Sequence, residues 1–217
     1  MEQHRRIADA VDEMAALAIN LTRLRIVAID LEYAVQEHGF HELGLAVWDR
    51  GERSGRHVVV GTGSMPGGYL HGATEHMDLE QACDTIAGLM DGADAIAGHD
   101  LSGDRLKLKG LGVALPLVPV YDTARMSKRI FVPPLQAQLR AMLQIYGVSS
   151  EGLHVAGNDA WAVIDLLVEM GRQGPSPCAG PDGDYAHPRG RQDILRDRYT
   201  AAGYVTEPGG QRVETPA

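Results

Sequence analysis

Residues 25–32 read Arg-Ile-Val-Ala-Ile-Asp-Leu-Glu, a short apolar run rich in β-branched residues that stops on acids. A run of this kind is a buried strand, and alternation along it points Asp30 and Glu32 to the same face. Two carboxylates so placed can ligate one hard cation. Alone the triplet is a weak signal, since Asp-x-Glu arises by chance about once in a chain of this length at average usage. Acids also end strands simply by meeting solvent.

Working outward from this central strand, residues 39–49 and 56–61 form two more strand candidates, separated by a Gly/Arg/Ser turn over 50–55. Three strands with short links predict an antiparallel meander. Further on, apolar spacing predicts helices over 78–90, 101–111, 134–146 and 159–170, with short strands over 93–97 and 117–121. In the last helix Trp161, Ile164, Leu167 and Val168 recur at intervals of three and four, with Gly157-Asn158 as its cap. The expected fold is therefore α/β: strands 1–3 antiparallel, then strands alternating with helices, in one mixed sheet flanked by helices.

The chain divides into three parts: an N-terminal amphipathic helix within 1–24, the α/β domain over 25–171, and a Pro/Gly-rich tail over 172–217 with one short helix at 192–203. The first helix, with Ile7, Val11, Met14, Ala15 and Leu17 on one side, packs on the domain or on a protein partner, the first being the commoner arrangement. The tail is the other candidate contact for a protein partner, and a homodimer is open.

Among the 217 residues 44% are hydrophobic and 23% charged, which fits a globular domain and excludes a fully disordered or collagen-like chain. No apolar run reaches the roughly 18–20 residues a membrane-spanning helix needs, and the first residues are charged where a signal peptide would be apolar. A soluble, cytoplasmic protein without a membrane partner is expected. Cys83 and Cys178 are too few for a disulfide framework. The net charge of −9 argues against coating nucleic acid by bulk charge, although two divalent cations would offset four of those charges.

Two further segments carry acids that a packed fold does not require. Gly98-His99-Asp100-Leu101-Ser102-Gly103-Asp104 runs from a strand end into a helix start, where Asp104 can face the edge that bears Asp30 and where Asp100 reads as an N-cap. His154-Val155-Ala156-Gly157-Asn158-Asp159-Ala160 sets a loop histidine five residues before an acid in a first helical turn. A His-x-Ala-x-x-Asp-Ala pattern arises by chance in only about one in several hundred chains of this length. His57, His71 and His76 lack metal-site spacing and read as surface or loop residues. Arg105, Lys107, Lys109, Arg125, Lys128 and Arg129 either track a phosphate backbone or form ordinary solvated faces. Trp161 reads as core.

In this order the motifs resemble those of the DEDDh family of 3′-to-5′ exonucleases, which have an RNase H-like fold. Asp30 and Glu32 match the first motif, Asp104 the second, and His154 and Asp159 the third. His41-Glu42-Leu43-Gly44 is similar to the family's Glu-Ile-Gly, His71-Gly72-Ala73-Thr74 to its His-Gly-Ile-Thr loop, and Val120-Tyr121-Asp122-Thr123 to a later strand end. Ala-Gly-Asn-Asp-Ala is similar to a fungal branch linked to small-RNA processing. Tyr33, where many members have Thr, and Asp100, where Asn is usual, depart from the pattern near the substrate.

The resemblance implies two divalent cations, Mg2+ or Mn2+, and single-stranded RNA or DNA 3′ ends as substrate. In-line attack on a phosphodiester builds charge on the attacking and leaving oxygens, which two cations about 3.5–4 Å apart stabilise. By the resemblance Asp30 bridges the ions, Glu32 and Asp159 hold the one on the nucleophile side, Asp104 holds the other through water, and His154 takes the proton. Leu31, Tyr33 and His99 would touch substrate. The rival readings are a non-catalytic binding or scaffold protein on this fold, and an RNase H-like endonuclease.

Overall fold

The computed structural model describes residues 16, 17, 20–33, 39–61, 68–130 and 138–173. The expected helix over 5–20, apart from residues 16, 17 and 20, and the tail beyond 173 with its helix at 192–203 lie outside the described residues. Six strands form one sheet in the order β4-β3-β2-β1-β5-β6. They are β1 (Arg25–Glu32), β2 (Glu42–Asp49), β3 (Glu52–Val60), β4 (Thr74–Met77), β5 (Ala95–Gly98) and β6 (Val120–Asp122). The first three form the predicted meander, antiparallel throughout, while β4, β5 and β6 join in parallel.

Helices cover both faces: α1 (Leu79–Met90), α2 (Ser102–Gly110), α3 (Thr123–Ile130), α4 (Leu139–Tyr146) and α5 (Ala156–Gln173). Alternation along β1 sends Val27, Ile29 and Leu31 into one core layer with Leu43, Leu45, Val58, Ile86 and Leu108. It sends Ile26 and Ala28 into a second layer with Ala46, Trp48, Met142, Ile164 and Leu167 of the α4/α5 side. Leu17 and Leu21 belong to that second layer, so the described end of the N-terminal segment packs on the domain. There Trp48 Nε1 donates to the Leu21 carbonyl at 2.6 Å.

Three local expectations change. The turn is confined to Arg50 and Gly51, whose positive φ values of 53° and 110° make a two-residue hairpin, and residues 52–55 are strand. Gly55 pairs with Ala46 inside the strand, and the Trp161 indole lies where its side chain would be. Asp100 does not cap α2, whose N-cap is Leu101; Asp100 instead adopts φ 61° and accepts from Ser102 Oγ at 3.0 Å. Gly157 and Asn158 are not a cap but stand in the first turn of α5, which begins at Ala156. α1 starts as predicted, with a capping box in which the Gln81 N–H donates to Asp78 Oδ1 at 2.8 Å.

Candidate active site

The apolar run of β1 ends just where α5 reaches the sheet. Gly44 on β2 makes that approach possible, because a Cβ there would collide with the Ala156 backbone. The incoming helix start is fixed by the Ala156 N–H, which donates to Glu42 Oε1 at 2.7 Å. One turn on, Asp159 meets the acids of the strand: ligand atoms of Asp30, Glu32 and Asp159 all lie within 4.8 Å of one another. His154 stands exposed before the helix at φ 75°, a left-handed conformation uncommon for a residue with a side chain. Its N–H donates to both Asp159 oxygens at 3.2 Å, tying the histidine to the carboxylate through the main chain.

Asp104 lies in the first turn of α2, 8% exposed, outside that group of three yet close enough to feel it. Burial, then the charges of Glu32, Asp100 and Asp122, push its carboxyl up to about 7. Burial also pushes Asp159 up to about 6, with the His154 N–H acting in the opposite direction. Asp30 is raised well above the usual carboxylate range by burial and by Asp159, Asp104, Glu32 and Glu42 in turn. Among the described residues none of Asp30, Glu32, Asp104 and Asp159 makes an ion pair with Lys or Arg. Half-buried acids that repel one another and lack a protein cation fit a divalent ion, and an all-oxygen donor set suits Mg2+ or Mn2+ over zinc.

Around this cluster the predicted substrate residues differ. Tyr33 flanks α2, its ring 4.7 Å from Lys107 Nζ, and burial and Asp104 raise its phenol. His99 Nδ1 pairs with Thr123 Oγ1 at 2.8 Å. Leu31 turns to the opposite face and is buried in the core, so only its backbone is open to a substrate. Arg105 and Arg125 line one cavity of about 180 Å3 with Leu101, Ser102, Val120 and Asp122. Trp161 is partly buried against the core as predicted, donates to Tyr69 Oη at 2.9 Å and stacks on His71.

Sequence reasoning missed several supports. His57 is not a surface residue: it is 2% exposed, and its Nε2 lies 2.7 Å from Glu42 Oε1. Alternation through Arg56-His57-Val58-Val59 carries this signal, because it sets His57 inward, across from Gly44. Asp122 Oδ1 accepts from the backbone of Asp100, Ala124 and Arg125, capping α3 and holding the loop before α2. Asn158 joins three segments, accepting from the Leu70 N–H and donating to the Gly68 and Gly152 carbonyls.

A mixed sheet whose central strand ends in Asp-x-Glu, answered by acids on two helices, defines an RNase H-like nuclease of the DEDDh type. The model for the family DEDDh_C, DNA polymerase III subunit epsilon-like, C-terminal domain, matches residues 57–170, over half of the chain, and the protein belongs to this exonuclease family. That stretch contains Asp104, His154 and Asp159, while Asp30 and Glu32 precede it. The family implies divalent metal ions.

Among solved structures, the Saccharomyces cerevisiae Pan2 pseudoubiquitin hydrolase-RNA exonuclease module in complex with A7 RNA is similar, at 15% identity and TM-score 0.53, over 84% of this chain and 33% of that one. The Neurospora crassa Pan2 catalytic unit is similar at 14% identity and TM-score 0.50, over 81% and 29%. This chain thus spans about a third of those it resembles, and the likeness is one of fold. No curated protein sequence matches. Among the described residues no helix is long and apolar enough to cross a membrane.

Proposed function

We propose that the protein is a metal-dependent 3′-to-5′ exonuclease that hydrolyses the terminal phosphodiester of single-stranded RNA or DNA and releases nucleoside 5′-monophosphates. The observation that carries this reading is the convergence of Asp30, Glu32 and Asp159 within 4.8 Å, beside a histidine held by its own main chain. Asp30 with Glu32 and Asp159 would hold one divalent ion, and Asp30 with Asp104, acting through water, a second. Such ions would supply charge stabilisation at the attacking and leaving oxygens. His154, exposed beside the acids, takes the proton of the attacking water as the bond to the 3′ oxygen breaks. Tyr33 and His99 contact the terminal nucleotide with their rings and Leu31 with its backbone.

The test is a time course on 3′- and 5′-labelled single-stranded RNA and DNA with Mg2+, Mn2+ or EDTA, beside Asp159→Ala. A metal-dependent ladder that shortens from the 3′ end and vanishes in the variant is expected, and the better substrate identifies the sugar. Internal cuts would mark an endonuclease. No cleavage by a folded, metal-binding protein would mark a binding protein.

A further inference from the structure

We propose that Glu42, held by His57, is a positioning residue that sets the gap between the strand-borne acids and Asp159. Glu42 lies directly across from Glu32 in the sheet and is 1% exposed. Its Oε1 takes two short hydrogen bonds of 2.7 Å, one from the first residue of α5 and one shared with His57 Nε2. His57 is fixed in turn by Thr74, whose Oγ1 lies 2.9 Å from Nδ1. Three strands, β2, β3 and β4, thereby hold the start of the helix that presents Asp159 to Asp30 and Glu32. The second carboxylate oxygen of Glu42 is buried with no hydrogen-bond partner among the described residues.

Burying a carboxylate with an unsatisfied oxygen is unfavourable, and an apolar pair would fill the same space at less cost. Apolar contact, however, is non-directional, whereas a hydrogen bond aimed at one main-chain N–H fixes both distance and angle. Around this bond the packing leaves no slack: side chains added at Gly44 or Gly157 would meet the Ala156 backbone or His57 and Tyr69. The reach of Glu42, not its charge, is the operative property.

The inference rests on the carboxylate site proposed above, and two variants of the whole chain test it. Glu42→Gln keeps the length and, with its amide oxygen in the place of Oε1, the acceptor for both the Ala156 N–H and a His57 Nε2–H. Glu42→Asp keeps the charge but shortens the arm by one carbon–carbon bond, about 1.5 Å. Mn2+ affinity is measured by calorimetry well below the melting temperature, with kcat and KM on the better oligonucleotide as second readouts.

Glu42→Asp is expected to weaken Mn2+ binding about tenfold or more and to lower kcat more than it changes KM. Glu42→Gln is expected to stay within about twofold of wild type on all three. Wild-type affinity in a folded Glu42→Asp, even with a lowered melting temperature, would overturn the proposal by reducing Glu42 to a stability role. A loss in Glu42→Gln as large as that in Glu42→Asp would overturn it in favour of charge. A wild-type protein that binds no Mn2+ would instead sink the metal-site reading and this inference with it, whereas one that binds Mn2+ without cleaving leaves the affinity comparison decisive.

Discussion

The two ends of the β1–β2 hairpin are built on opposite principles. At the Arg25/Asp49 end charge meets an opposite charge or a carbonyl: the Arg25 N–H donates to Asp94 Oδ2 at 2.8 Å, its guanidinium to the carbonyls of Leu89 and Asp91, and Asp49 lies 3.6 Å from the Arg50 guanidinium. Nearby charges on β3 pair too, Arg53 with Asp165 and Arg56 with Glu75. At the other end Glu32 faces Glu42 in register, like charge opposite like charge, with Asp30, Asp104 and Asp159 close behind. Such pairs destabilise a sheet. One end serves folding; the other carries repulsion that a divalent ion would relieve.

Exchanging the acid at the repulsive end should separate activity from stability most sharply. Asp30→Asn is expected to lower kcat/KM by roughly a thousandfold, the equivalent of several kcal/mol of lost transition-state stabilisation. In EDTA it should melt no lower than wild type, because a charge held among acids has gone; a markedly lower melting temperature would contradict the comparison. Next in size is His154→Ala, expected to lower kcat by about a hundredfold while leaving Mn2+ binding in place, as read by calorimetry and single-turnover rates.

A pH series on the metal-free protein sharpens the contrast. Asp104, pushed up to about 7, and Asp159, pushed up to about 6, retain protons that the unfolded chain releases near pH 4. The folded state then binds more protons, so stability falls as pH rises from about 4 to 7. For Asp104 the change is on the order of 4 kcal/mol, read as the urea midpoint, and Asp104→Asn should flatten the curve. Saturating Mg2+ or Mn2+ should restore stability above pH 7, by about 2.7 kcal/mol at a hundred times the dissociation constant.

The smallest effect belongs to the paired end. Arg56→Ala removes a part-exposed bridge to Glu75 and should cost no more than about 1 kcal/mol, with kcat unchanged; a hundredfold loss of rate would erase the distinction between the ends.

Much of this arrangement was legible in the chain. The apolar run of β1, the meander and the three acidic segments announce themselves locally, through period and spacing. What stayed hidden depends on partners distant in sequence. β4, Thr-Glu-His-Met, has no strong pattern of its own and is a strand because β3 offers it a parallel edge. α3 over Thr123–Ile130 is polar on average and begins at a cap, Asp122, that reads as a mere strand end. His57 looked like a surface residue because its partner, Glu42, lies fifteen positions earlier on another strand. Glycines misled too: Gly55 suggested a turn, whereas its missing side chain makes room for Trp161.

Gly44 touches the Ala156 main chain where any other residue would hold the two apart. The contact is peptide against peptide, a gauge whose thickness does not depend on which side chains surround it. Mutation can therefore rewrite much of the surrounding sequence without changing the spacing it sets. A frame of this kind suits chains that share a fold at 15% identity. It also makes position 44 a place where one added methyl group, with no chemistry of its own, would disturb the spacing of carboxylates it never touches.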